Sequence, residues 1–195
     1  MFFFKGLKYI RRKILIPLNV SLIIFNFYIR KTLFGFANAA LFLARVDKNA
    51  IIPLLKKNGA SIGEKCDIET GLTFHNCINF SNLSIGNNCH IGKNCFFDLR
   101  EKVNIGDNVV VSMLNTFITH IDMSKSNLSK VYKSNSKPIT VKNNSYLGAC
   151  CTVLMGVVIE EDAFVAAHSL VNKNVEKKTV VGGIPVKRLN LSIST

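Results

Sequence analysis

His120 stands at a change of character in the chain. The stretch leading to it, NTFITH, is largely apolar, and residues 120–138 that begin with it (HIDMSKSNLSKVYKSNSKP) are rich in Ser, Lys and Asn. A histidine titrates close to neutral pH, so one placed where a strand gives way to a long loop suits the removal of a proton from an attacking hydroxyl. The alternative is a histidine satisfied locally within a loop. Asp98, in FFDLRE, could orient such a histidine or bind a substrate hydroxyl; it could equally pair with Arg100 or cap a turn. His75, His90 and His168 are weaker candidates, and three zinc-binding histidines would need a convergent spacing that these four do not display. Six cysteines without a C-x-x-C pair, two of them adjacent at Cys150-Cys151, make a poor zinc site and a poor disulfide framework. Lys173, Lys187 and Arg188 could meet phosphate or simply form a solvated face.

What must position these groups is a beat of six residues. Val141, Leu147, Val153, Ile159, Val165 and Val171 fall six apart, as do Ile85, Ile91 and Phe97, then Ile105, Val111 and Phe117 after a two-residue shift, and Ile62, Ile68 and Phe74 earlier. Neither an α-helix nor a flat strand requires one aliphatic every six residues. A coil of three short strands does, with each aliphatic directed into a prism and neighbouring coils stacked to bury the core. Gly follows the aliphatic at 63, 86, 92, 106 and 148, which suits a turn of tight or left-handed backbone. The fifth residue of each unit (Cys66, Cys89, Cys95, Val109, Cys151, Val157, Ala163, Ser169) should turn inward where space is small, so most of the cysteines read as small free hydrophobes in a reducing compartment. The beat breaks over residues 75–84, where a distorted coil is expected, and over residues 120–138, an excursion loop of the length that usually serves function.

The net charge of +13 is unevenly spread: residues 1–60 carry eleven Lys and Arg against one acid, Asp47. The same segment is apolar, yet its uncharged run from Ile14 to Ile29 is sixteen residues, short of the roughly twenty that span a bilayer. No small-residue cleavage site marks a secretory signal. Two or three basic amphipathic helices are expected, lying on an anionic membrane surface, capping the prism or packing between subunits. A further short helix over 46–60 should stop at Gly59. Nothing that reads nucleic acid accompanies the charge.

These features divide the chain into a basic amphipathic helical segment, 1–58, and a mainly β domain, 59–195. Over residues 58–190 the chain resembles the hexapeptide-repeat acyltransferases, which fold as a left-handed parallel β-helix, an exception to the usual handedness of parallel crossovers. It is most similar to the branch that O-acetylates sugars of surface polysaccharides, alongside the maltose and galactoside acetyltransferases. The spacing from Gly106-Asp107-Asn108 to His120 carries this likeness, as does the closing Gly182-Gly183-Ile184-Pro185. The resemblance implies transfer of an acetyl group from acetyl-CoA to a sugar hydroxyl in polysaccharide or lipopolysaccharide biosynthesis. It implies that His120 is the general base, that Asp98 lies with the acceptor, and that Gly148, Ala149, Ala167, Ser169, Asn172, Lys173 and Lys187 occupy coenzyme-contacting places, with no metal required. It further implies a homotrimer with donor sites between subunits, and a sugar or lipid-linked glycan acceptor met in the cytoplasm or at the inner face of the cell membrane. N-acyl transfer to an amino-sugar, or a non-catalytic scaffold at the membrane surface, would use the same framework. The chain departs from the family in having no Trp, in Asn172-Lys173 where Thr-Lys is usual, and in His168 where a Gly is usual.

Overall fold

The computed structural model describes residues 11–190. Its centre is a prism of five stacked coils whose walls are three parallel sheets. The first wall holds Ser61–Ile62, Leu83–Ile85, Val103–Ile105, Ile139–Val141 and Val158–Ile159. The second holds Asp67–Ile68, His90–Ile91, Val110–Val111, Tyr146–Leu147, Phe164–Val165 and Val180–Gly182, and is closed by the antiparallel strand Lys187–Arg188. The third holds Thr73–His75, Phe96–Asp98, Thr116–Ile118, Thr152–Leu154 and Leu170–Val171. The architecture is the left-handed parallel β-helix, mainly β with a helical N-terminal segment.

Every aliphatic or Phe of the beat is buried, and each triplet is one coil: Ile85, Ile91 and Phe97 sit directly over Ile62, Ile68 and Phe74. The register is locked on the third wall by rings. Phe97 and Phe117 stack with centroids 5.0 Å apart and 4° between planes, and Phe74 lies 5.8 Å from Phe97. That spacing is close to the rise of one coil, about 4.8 Å, so flat rings fill a column that aliphatics would fill less completely. Cys89, Cys95 and Cys151 are buried as expected, and Cys66 is partly so. Burial pushes the Cys95 thiol up to about 11, which keeps it protonated and unreactive.

The turn chemistry differs from expectation in one respect. The left-handed residue is not the Gly after the aliphatic but the residue two places further on, at Lys65, Asn88, Asn94, Asn108, Leu114, Asn144, Cys150, Asp162 and His168. Asn tolerates that backbone best among non-Gly residues, and Asn88, Asn108, Asn144 and Asp162 join side chain to side chain up one corner at 2.9–3.2 Å. The Gly is required by approach between coils: a Cβ on Gly86 would stand 2.6 Å from the Gly106 carbonyl carbon.

At the N-terminal end, helix α1 (Ile16–Phe42) follows a π-helical turn, Arg11–Leu15, and breaks at Gly35 (φ 81°, ψ 169°) into two limbs. Helix α2 (Lys48–Lys57) begins on Asp47, whose carboxylate accepts from the Asn49 amide at 2.9 Å, a standard helix cap. Ala50, Ile51, Leu54 and Leu55 of α2 are buried over the first coil, and Lys48 pairs with Asp67 and Glu69 on the prism. The irregular stretch after Thr73–His75 buries Phe80, which links Phe74 (4.7 Å) to Phe36 of α1 (4.9 Å). The helices therefore cap the open end of the prism, which a solenoid needs. The first limb of α1 also carries exposed apolar side chains (Leu18, Leu22, Phe25, Ile29 and Leu33). Of the segment expected to meet membrane, residues 1–10 lie outside the described residues.

Candidate active site

Asp98 ends its strand on the third wall, one rung above His75, and the excursion loop leaves the same wall one rung higher, at Thr119 and His120. His120 and Ile121 pair antiparallel with Ser136 and Asn135, so the excursion of residues 120–138 is pinned at its base by a short ribbon. Beyond the ribbon it carries a 3-10 turn, Asn127–Lys130. The strand register brings the side chains of Asp98 and His120 together: His120 Nδ1 lies 2.5 Å from Asp98 Oδ2.

Asp98 has a side chain only 2% exposed and is surrounded by donors. The Thr119 backbone N–H and hydroxyl each donate to Oδ2 at 2.9 Å, and Asn76 Nδ2 donates to Oδ1 at 2.9 Å. Burial pushes the Asp98 carboxyl up, but hydrogen bonds from His120, Asn76 and Thr119 outweigh it and hold the group below the usual carboxylate range. An ionised Asp98 accepts from Nδ1–H of His120, which fixes the tautomer and leaves Nε2 with a lone pair. The His120 side chain is 17% exposed, enough to meet a substrate hydroxyl. The arrangement is a buried carboxylate orienting a partly exposed imidazole, a geometry that suits general-base chemistry. Of the competing roles for Asp98, pairing with the Arg100 guanidinium is not filled, since that group pairs with Asp122 at 3.5 Å, but the turn cap is: the Arg100 backbone N–H donates to Asp98 Oδ1 at 3.4 Å.

Asn76 and Thr119 belong to this group, and neither is singled out by the sequence. Asn76 is the first residue of the break in the beat beyond His75, and it is held in left-handed backbone (φ 53°). From there its amide reaches the carboxylate one coil above and lies 3.4 Å from the His120 ring nitrogens. The only hint in the sequence is that the rhythm fails there.

The residues expected at the donor fall into three places. Gly148, Ala149 and Ala167 lie where the second wall turns into the third, on successive coils; a Cβ on Gly148 would stand 2.5 Å from the Ala167 nitrogen. They edge the same wall that carries His120 at its opposite edge. Ser169 faces inward and is buried, its hydroxyl donating to the Ala166 carbonyl at 2.6 Å and accepting from Gly183 N–H at 3.2 Å. Its side chain therefore shapes the wall and is not free to touch a ligand. Asn172 and Lys173 are exposed beyond the last strand of the third wall. Lys173 and Arg188 line a cavity of about 340 Å³ with Glu176 and Thr179, whereas Lys187 lies on the closing strand of the second wall and does not line it. Among the other histidines, His90 bonds Asp67 at 3.0 Å on the outer face, and His168 is an exposed turn residue.

The chain matches the model of the hexapeptide repeat of succinyl-transferase over residues 82–119 and 138–172, the gap being the excursion loop. It is 30% identical over 140 residues to a galactoside O-acetyltransferase of Escherichia coli (strain K12), covering 69% of this chain and 64% of that one. It is 29% identical over 137 residues to a galactoside O-acetyltransferase of Lactococcus lactis subsp. lactis (strain IL1403), covering 69% and 65%. The chain thus spans slightly under two thirds of these relatives' length. Among solved structures it is similar to a hexapeptide-repeat-containing acetyltransferase of Vibrio cholerae, with a TM-score of 0.69 at 23% identity over 88% of this chain and 91% of that one. The same Vibrio cholerae protein complexed with acetyl coenzyme A aligns with a TM-score of 0.67 at 20% identity over 90% and 86%. The chain thus carries the hexapeptide repeat over residues 82–119 and 138–172, and it shares its fold, the left-handed parallel β-helix, with these solved structures.

Proposed function

We propose that the protein is an acetyl-CoA-dependent O-acetyltransferase whose acceptor is a sugar hydroxyl of a surface-polysaccharide or lipopolysaccharide intermediate. The observation that carries this reading is the Asp98–His120 pair, with Nδ1 held at 2.5 Å by a carboxylate that five donor contacts, counting His120 itself, surround. The names of the sequence relatives, galactoside O-acetyltransferases, support the acceptor class. In the reaction, His120 Nε2 takes the proton of the hydroxyl as its oxygen attacks the thioester carbonyl carbon. The tetrahedral intermediate collapses with cleavage of the C–S bond, and the coenzyme A sulfur leaves with the proton returned from His120, so ester and free thiol are formed and no other reactant is consumed. Asp98 remains ionised and stabilises the imidazolium that exists between the two proton transfers. The small wall residues Gly148, Ala149 and Ala167 let the pantetheine arm lie close, Asn172 borders it, and Lys173 and Lys187 supply charge to its phosphates. The donor lies between subunits of a homotrimer.

The test is acetyl transfer by purified protein from acetyl-CoA to a panel of free, nucleotide-linked and lipid-linked sugars, with wild type beside His120→Ala. The variant should lose about 10²–10⁴ in kcat while coenzyme A binding, read by calorimetry, persists. Full activity in the variant would remove His120 as the base, and failure of a properly assembled protein to bind coenzyme A would remove the acyltransferase reading altogether.

A further inference from the structure

The first limb of α1 has two apolar faces, back to back. At about 100° per residue, Val20, Ile23, Ile24 and Phe27 share one side, and these pack on the protein core, with Phe27 wholly buried. Leu18, Leu22, Phe25, Ile29 and Leu33 fall within an arc of about 80° on the opposite side. All five are exposed, Phe25 by 64% and Leu33 by 67%. A shallow groove of about 470 Å³ runs along this stripe, lined by Phe25, Tyr28, Ile29, Thr32 and Leu33. A continuous exposed apolar ridge of this kind is rare on a protein that meets only water.

Charge identifies what covers the ridge. The first 31 residues hold seven Lys and Arg and no acid; five precede Ile14, and of these Arg11 and Lys13 are exposed at the start of the helix, whereas Arg30 and Lys31 are half-buried and bond Asn26 and Asn58. A second copy of the chain laid on the ridge would offer these cations no acid, since the first in the sequence is Asp47. An anionic surface meets the ridge and its basic N-terminal end at once, with long basic side chains reaching the headgroups while the apolar row sinks below them. By length and composition the helix could cross a bilayer, but its charge-free run of sixteen residues is only about 24 Å long against a hydrocarbon core of about 30 Å, and Val20, Ile23, Ile24 and Phe27 pack on the protein. We infer that α1 is an interfacial anchor, laying the ridge from Leu18 to Leu33 into the surface of an anionic lipid bilayer and so holding the prism, and whatever site it carries, at the membrane.

The experiment uses the full chain and needs no enzymatic readout, so it stands or falls apart from the acetyltransferase reading. Flotation with phosphatidylcholine vesicles containing phosphatidylglycerol is compared with phosphatidylcholine vesicles alone, for wild type and for the triple variant Leu22→Ser, Phe25→Ser, Ile29→Ser. Because these side chains are exposed, the variant should keep the thermal unfolding and solution mass of wild type. Wild type should float with the anionic vesicles, losing about tenfold or more in partitioning between about 0.1 M and 1 M salt, and the triple variant should lose about tenfold or more at low salt. The chain contains no Trp, so Phe25→Trp gives a unique probe whose emission should shift to the blue on anionic vesicles. Three results would overturn the inference: no flotation of wild type, a triple variant that floats within twofold of wild type, or a triple variant whose mass drops, which would give the ridge to a second copy.

Discussion

Replacing Asp98 by Asn separates the charge of the carboxylate from its shape. In the native site the carboxylate accepts at both oxygens: Thr119 and His120 donate to Oδ2, Asn76 and, at a longer 3.4 Å, the Arg100 backbone N–H to Oδ1. An amide must turn its NH2 toward one of these donors. If it faces Asn76, that side chain can turn its own amide over and present oxygen, and the packing survives. If it faces His120, it can donate only to an unprotonated Nδ1, which moves the proton to Nε2 and disables the base. In either orientation the charge is gone. A unit charge about 4 Å from the imidazolium, at the effective dielectric appropriate to a partly buried pair, is worth about 4 kcal/mol at most, and each 1.4 kcal/mol is a factor of ten. Asp98→Asn should therefore lower kcat by about 10²–10³ with little change in KM for acetyl-CoA, in a steady-state assay of coenzyme A release. The stability signature is separate. The native carboxyl lies below the usual range, so the unfolded chain binds more protons than the folded one as pH falls below the ordinary Asp value, about 3.9. The stabilisation is complete above that value and is lost as pH falls through the lower folded pKa. Wild-type Tm should thus drop more steeply than that of Asp98→Asn on acidification from about pH 5 to pH 3. A variant with activity within threefold of wild type would refute the orienting role, and parallel acid limbs of Tm would refute the ionised, hydrogen-bonded carboxylate.

Asn76→Ala removes one donor to Asp98 and should reduce kcat by about tenfold, with KM for acetyl-CoA unchanged and Asn76→Gly no better; equal loss of donor binding would mark Asn76 as merely structural. Gly148→Ala drives a Cβ to within 2.5 Å of the next coil's backbone, which cannot yield as a side chain would; it should cost about 2 kcal/mol and lower Tm by about 4–8 °C in calorimetry. Phe97→Ala opens the stacked column between Phe74 and Phe117 and should cost about 3–5 kcal/mol, read by chemical denaturation.

The strict six-residue beat was legible because each coil buries its own triplet in the same way, so the pattern is local and repeats along the chain. It was enough to set which residues face inward, why most of the cysteines are small and buried, and where the excursion loop leaves the prism. His120 stands out in the sequence because it sits at that exit. Asn76 was not, because nothing in the residues around it says that a left-handed backbone aims its amide one coil upward. Nor could the beat decide whether the Asp98 carboxylate would reach the Arg100 guanidinium or the His120 ring; Phe97 over Phe74 and under Phe117 sets the rung, and the ribbon at His120 and Ser136 sets the angle. The role of the Gly after each aliphatic was misread for a related reason: crowding between coils is a contact between residues about twenty or more apart, invisible to local turn chemistry. Composition alone marked residues 1–60 as basic and apolar, but only the packing of α1 divides its apolar residues into a row that buries itself on the cap and a row that remains outside. Periodic burial is a property of the chain and can be read from it. The meeting of Asn76, Asp98 and His120 across three coils depends on register and backbone direction, which tertiary packing alone decides.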